Sequence, residues 1–346
     1  MFRRFAAVIL STILLSPGWL GVTGMTLLVG FVPLLWISAS YDDTRRSWWG
    51  MFGWAALAFV LWNAMTIWWI WYATPVGPPA ATLASTTMNM IAFMLFHTVS
   101  KKAPKALAYV TLVTAWITTE YWYTVGDFSW PWLILGNGFS HEVWAVQWYE
   151  YTGVFGGTLW VLLSNILIFE ALRTRSARRW IAAACIVIVP MAVSLAIRGS
   201  WKQPGEGAVA VSVIQPNVDC YDKFNGRAEW QERNIVDLLT EVPASEKKAE
   251  GVVKGFSSHS GHYYKTGNGF TAGHLGEAPC PPDIPSGEFA AMRDTGDVVA
   301  AFFGHDHKND FVGTYEGIDL VNTAGTGFYI YGEREYHGAR LVILHE

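Results

Sequence analysis

The sequence predicts a multi-pass α-helical membrane bundle of about seven helices, followed by an incomplete α/β region outside the membrane. Three observations lead there. The block from Ala6 to Ile197 is apolar and broken only by short connections. Those connections alternate between ones that carry Lys or Arg and ones that carry neither. Composition splits along the chain: 346 residues are 52% hydrophobic and 15% charged, with 19 Trp, which no ordinary soluble chain of this length shows. Yet residues 201–346 carry Gly, Pro, Asp, Glu and Lys throughout. The net charge of −4 is mild and points away from nucleic acid as a partner.

The elements follow in order. Met1-Phe-Arg-Arg and the apolar run after it have the outline of a signal peptide. No small-x-small cleavage site follows, and another apolar run comes directly after, so the run reads as a first membrane helix. Crossing the hydrocarbon takes about 20 apolar residues per helix. The candidate spans are about 5–20, 23–40, 48–73, 80–100, 106–125, 143–171 and 180–198. Arg3 and Arg4 precede the first, Arg45 and Arg46 follow the second, Lys101, Lys102 and Lys105 follow the fourth, and Arg173, Arg175, Arg178 and Arg179 follow the sixth. The connections around Gly21, Thr74–Pro79 and Gly126–Glu142 hold no Lys or Arg. The positive-inside bias then puts the N-terminus in the cytoplasm, and an odd number of spans puts everything after Ser200 outside the inner membrane.

Trp48, Trp49, Trp68, Trp69 and Trp71 fall near span ends and read as interfacial anchors. Three acids lie in or near the apolar segments. Glu170 adjoins the basic loop and is expected to be solvated. Glu120 and Glu150 are expected to face the bundle interior or the outer interface, because a carboxylate facing lipid is expensive. His97 reads as structural. The connection Gly126–Ser140 is aromatic and apolar, and Pro131, Gly136 and Gly138 forbid a regular helix there. Trp130, Pro131 and Trp132 within it, with Glu120 and Glu150, are the candidate lipid or substrate gate; a plain aromatic loop at the interface is the alternative. Cys185, Cys220 and Cys280 are too few and too scattered for a disulfide framework. Cys185 reads as a small buried hydrophobe.

Several pieces of the block resemble the membrane part of apolipoprotein N-acyltransferases. They are Thr119-Glu120-Tyr121-Trp122, Ser129-Trp130-Pro131-Trp132-Leu133, Leu135-Gly136-Asn137-Gly138, the run Gln147–Gly157, and Asn165. Past the last helix, Val209–Asn217 resembles the first strand of the nitrilase-like domain these enzymes carry outside the membrane. The resemblance covers about residues 1–245. Where the family has an Arg soon after the Glu120 position, this chain has Tyr123. The resemblance implies an enzyme of the bacterial inner membrane. It implies transfer of a phospholipid acyl chain to a cysteine thioester and then to the N-terminal lipidated cysteine of a lipoprotein. A Glu and a Lys serve as base and oxyanion donor. That Glu-Lys-Cys order is not found after Asn217, and neither Cys220 nor Cys280 has the nucleophile's context. The expected catalytic residues of the acyltransferase part are therefore none.

From about Gly251 the chain changes character. Val298–Phe303 reads as a buried strand running into Gly304-His305-Asp306-His307. With Gly296-Asp297-Val298 and Asn322–Phe328, this resembles the C-terminal end of calcineurin-like metallophosphoesterases of the purple acid phosphatase kind, a β-sandwich of which only part would be present. The resemblance implies His305 and His307 as ligands of a divalent metal (Zn, Mn or Fe), with His259, or its neighbour His262, as a further ligand. The family's earlier metal-binding segments are absent from the sequence. The expected domains are 1–200 (membrane helices), 201–250 (start of a nitrilase-like domain) and 251–346 (end of a metallophosphoesterase domain). Three functions are compatible: an acyltransferase without its catalytic set, a membrane-tethered metallophosphoesterase remnant, or a non-catalytic protein that binds lipid.

Overall fold

The computed structural model describes residues 1–125, 130–201, 270–277, 288–296, 298–304 and 306–325. The chain divides into two compact units, Met1–Gln203 and Pro204–Glu346. The boundary expected near residue 250 lies outside the described residues.

The first unit is helical: α1 (Phe2–Leu15), α2 (Leu27–Gly30), α3 (Val32–Ala39), α4 (Arg45–Ile67), α5 (Gly77–Lys102), α6 (Lys105–Val125), α7 (Tyr149–Thr174) and α8 (Ala177–Ser200). Helices occur at all seven places the sequence marks, and among the described residues four are long and apolar enough to cross a membrane: Arg45–Tyr72, Gly77–Lys102, Tyr149–Thr174 and Ala177–Ser200. The differences have local causes. Helix α1 has 14 residues, about 21 Å of rise, short of the roughly 30 Å of hydrocarbon. The second span is broken between α2 and α3, where Pro33 lies at the start of α3 and brings no N–H to the ladder. Buried Asn165 of α7 mends the break. Its amide donates to the Leu27 carbonyl at 2.7 Å and its Oδ1 accepts from Phe31 N at 2.7 Å. Helix α6 is long enough, but Glu120 and the aromatic run Tyr121-Trp122-Tyr123 fall within its second half.

The core of this unit is aromatic. Phe31, Phe59, Phe93, Trp62 and Trp116 are fully buried. Phe31 meets Trp116 edge-on at 4.8 Å between ring centroids, and Phe59 meets Phe93 at 5.7 Å. The described helices alternate in direction, so their basic ends gather at one end of the bundle. There Lys101 Nζ donates to the carbonyls of Ser38 (2.8 Å) and Tyr41 (2.9 Å), closing the C-terminus of α3. The Arg4 guanidinium lies 4.0 Å from the Tyr41 ring centroid. His97 is buried and shares a 2.8 Å hydrogen bond with Ser38 Oγ. Glu170 differs from its expectation: it is 8% exposed rather than solvated. The Tyr109 hydroxyl donates to it at 2.6 Å, Arg173 at 2.9 Å, and Arg179 also pairs with it. Arg173 comes from the last turn of α7 and Arg179 from the first turn of α8, so the helix ends on both sides of the connection share one buried carboxylate. Cys185 is exposed on α8 rather than buried. Helix α8 packs by a narrow strip, with Ala183 and Ser194 buried and Ile186, Val187 and Met191 partly buried against the core.

The second unit contains a four-stranded mixed sheet of order β1-β3-β4-β2: β1 (Phe270–Leu275), β2 (Ala300–Phe303), β3 (Asn309–Tyr315) and β4 (Ile318–Asn322). Helix α9 (Glu288–Thr295) lays Met292 against Ala301 and Ile318. Strands β3 and β4 form a hairpin whose two turn residues, Glu316 and Gly317, both have positive φ (46° and 85°), the primed turn that matches strand twist. The strand expected at 298–303 is β2, which pairs in parallel with β4. Of the expected β-sandwich, the described residues show this one sheet.

Candidate functional site

The site is built around the segment Trp130–Ser140. Its residues cannot form a long helix, and they fold as short 3-10 turns at Pro131–Leu133 and Leu135–Phe139. The far half enters the protein: Ile134, Leu135 and Phe139 are buried. The near half forms its rim, with Trp130 half-buried and Pro131 and Trp132 exposed.

Glu120 holds the segment in place. It is 5% exposed on α6 and receives three donors: Trp116 Nε1 at 3.0 Å, Leu135 N at 2.8 Å and Thr158 Oγ1 at 2.6 Å. A buried carboxylate without such partners would be severely destabilising. Thr158 also accepts from Gly136 N at 3.3 Å, and the Tyr149 hydroxyl donates to the Gly136 carbonyl at 2.8 Å. A Cβ at Gly136 would overlap the Val154 carbonyl oxygen, so glycine here permits backbone-to-backbone contact with α7. On the other side, Gly138 lies against Gly18 and Gly24. Buried Glu142 accepts from Gly24 N at 3.0 Å. Trp19 Nε1 donates to the Trp132 carbonyl at 2.9 Å.

The rim continues into the 3-10 turn Trp68–Tyr72 that ends α4. The Trp69 ring lies 5.0 Å from that of Trp132 and 6.4 Å, stacked, from that of Trp130. Trp68, Trp71, Tyr72 and Trp132 are between 43% and 59% exposed, an unusual density of bare aromatic surface at one end of a helical unit. Behind the rim opens a small cleft lined by Ser85 and Asn89 of α5, Glu120 and Tyr123 of α6, and Trp130 and Leu133 of the segment.

The structure thus brings together Glu120, Trp130, Pro131 and Trp132. It leaves Glu150 apart, exposed in the first turn of α7. Tyr149, Thr158 and Glu142, which hold the segment, and Ser85 and Asn89, which line the cleft, were not singled out from sequence. The available signal was the i, i+4 spacing of Ser85 and Asn89, which puts both on one face of α5.

In the second unit, His305 and His259 lie outside the described residues. His307 is half-buried in the connection between β2 and β3, where its carbonyl accepts from Gly325 N at 3.1 Å. Its acidic neighbours are already engaged: Asp306 accepts from Asn309 Nδ2 at 3.2 Å, and Glu277 accepts from Lys308 N at 3.0 Å. Among the described residues, no group of three His, Cys, Asp or Glu is placed to hold a metal ion. Of the three histidines that the sequence resemblance implies as ligands, the described residues include His307 alone.

Residues 11–167 match the family model of the apolipoprotein N-acyltransferase N-terminal domain. The chain is 27% identical over 209 residues to the apolipoprotein N-acyltransferase of Chlorobaculum tepidum, covering 57% of this chain and 38% of that protein. Two Arabidopsis thaliana proteins are also similar. Probable inactive purple acid phosphatase 29 is 28% identical over 140 residues (37% of this chain, 35% of that protein). Probable inactive purple acid phosphatase 14 is 42% identical over 57 residues (16% and 14%). The chain spans about two-fifths or less of the length of each relative. One chain thus joins similarity to the acyltransferase membrane domain with similarity, in its C-terminal region, to purple acid phosphatases.

Proposed function

We propose that the helical unit is the lipid-handling half of an apolipoprotein N-acyltransferase, and that the chain binds membrane phospholipid without transferring its acyl chain. One observation carries the reading: an aromatic rim backed by a cleft, with the rim segment pinned to the bundle through Glu120. A soluble helical domain has no use for Trp68, Trp71 and Trp132 exposed side by side, whereas rings at the hydrocarbon–water boundary are at home there. The gathering of Arg4, Lys101, Arg173 and Arg179 at the opposite end supports a cytoplasmic position for that end; in this reading the seven helical segments, short α1 included, traverse in alternation and the second unit lies on the outer face of a bacterial inner membrane. Arg198, in the last turn of α8, is the exception.

The absence of catalysis rests on the sequence, in which the family's Glu-Lys-Cys order is not found after Asn217. A lipoprotein N-terminus would be the acceptor in the complete enzyme. The test is an acyl-transfer assay on the full chain in detergent with phosphatidylglycerol and a diacylated lipopeptide. The expected result is retained lipid with no triacylated product. Formation of an acyl-thioester would overturn the claim that catalysis is lost, and failure to retain lipid would overturn the lipid reading itself.

A further inference from the structure

The cleft behind the rim has a chemistry of its own. Four side-chain polar atoms that line it are buried without an ordinary hydrogen bond: Ser85 Oγ, Asn89 Nδ2, Tyr123 Oη and Trp130 Nε1. The Tyr123 hydroxyl lies beside Ser85 Oγ, so those two can satisfy each other weakly. The Asn89 amide and the Trp130 indole N–H have no such neighbour. Buried donors left unpaired are rare because each loses its hydration for nothing. Two from different elements converging on one cleft point to a ligand that accepts from both.

The lining decides what kind of ligand. It contains no Lys, Arg or His, and its one charged residue is Glu120. A phosphate would meet that carboxylate without a compensating cation. A cation would find both carboxylate oxygens already filled by Trp116, Leu135 and Thr158. A neutral acceptor fits: a carbonyl oxygen has two lone pairs and can take both N–H groups. The position of the cleft narrows the source. It opens beside the interlocked rings of Trp69, Trp130 and Trp132, at the level where interfacial aromatics sit. Beside it, Trp130 and Leu133 pack on the apolar cluster of Ile67, Ile70 and Ala81, a surface for the first methylenes of a chain. We propose that the cleft receives the ester carbonyl of a glycerolipid through Asn89 and Trp130. This rests on the lipid reading above and adds to it the chemical group that is recognised.

The test uses the full chain purified in detergent and incubated with dioleoyl phosphatidylglycerol or with its di-ether analogue, which lacks both carbonyls. Bound lipid is counted by native mass spectrometry. Two hydrogen bonds at ordinary net strength predict a preference for the ester lipid of about fivefold or more. Asn89→Leu and Trp130→Phe should each bring the ratio towards one, with folding checked by thermal unfolding. Trp132→Ala, at the rim, should lower retention of both lipids without changing the ratio. Monooleoylglycerol, which has the ester but no phosphate, should compete with the ester lipid. Equal retention of ester and ether lipids would mean the cleft holds water only and would overturn the inference while leaving the lipid reading intact. Failure of monooleoylglycerol to compete would show that phosphate is read instead, and would also overturn it. Retention of neither lipid would sink both readings.

Discussion

Replacing Glu120 tests the pinning of the Trp130–Ser140 segment most directly. Glu120→Ala removes the acceptor for Trp116 Nε1, Leu135 N and Thr158 Oγ1 at one stroke. The Thr158 hydroxyl can turn elsewhere, but the first two donors are fixed and enclosed. Each unpaired buried donor costs about 1–3 kcal/mol, so the loss should total roughly 2–6 kcal/mol. For a unit of this size, each kcal/mol moves the midpoint by about 2–4 °C, which gives a drop on the order of 10 °C. Glu120→Gln should be far milder. Its carbonyl oxygen can still accept from Leu135 N and Trp116 Nε1, and its NH2 can donate to Thr158 Oγ1. Thermal unfolding followed by intrinsic tryptophan fluorescence, in one detergent for all variants, reads the difference. Limited proteolysis should find new cleavage between 130 and 140 in the Ala variant alone. If Ala and Gln unfold within a degree of wild type and of each other, the carboxylate does not hold the segment and the reasoning fails.

Other predictions follow from the same packing. Asn165→Leu keeps volume but strips the partners from Leu27 O and Phe31 N, and should cost about 2–4 kcal/mol by the same unfolding assay. Glu170→Gln should cost only about 1 kcal/mol, shrinking further in high salt, because Arg173 and Arg179 are 31% and 44% exposed and solvent screens the pairs; a loss unaffected by salt would contradict this. Asp42, before α4, has its carboxyl held below the usual range by the hydroxyls of Ser47 and Thr44. Its contribution should be present above the unfolded-state value and lost as pH falls through the lower folded value, so Asp42→Asn should flatten that acid limb of the stability profile. Gly317→Ala, at φ 85°, should destabilise the second unit by about 1 kcal/mol, read as a shift in the hydrogen-exchange protection of β3 and β4. Metal analysis of the full chain should find less than one equivalent of Zn, Mn or Fe, and a stoichiometric ion lost on mutating His307 would revive the metal reading.

Hydropathy and charge alone located every described α-helix of the first unit, with α2 and α3 read as one, because burial in lipid or in a helical core imposes the same long apolar runs and leaves charge mostly at the ends. Pro131, Gly136 and Gly138 likewise ruled out a helix in the segment that became the rim, since proline and glycine act on the backbone locally. What the sequence could not show was which side chains meet. Glu120 reaches Leu135 and Thr158, 15 and 38 residues away, and Asn165 reaches Phe31 across 134. Glu170 looked solvated because its sequence neighbours are charged, yet Tyr109 of α6, Arg173 one turn along α7 and Arg179 of α8 enclose it. Ser85 and Asn89 are two of several small polar residues in Thr82–Asn89, and packing alone sets them opposite Tyr123 and Trp130. Local pattern determines where a helix runs and where it stops. The pairing of buried polar groups is decided by how the helices cross, and only the tertiary structure contains that.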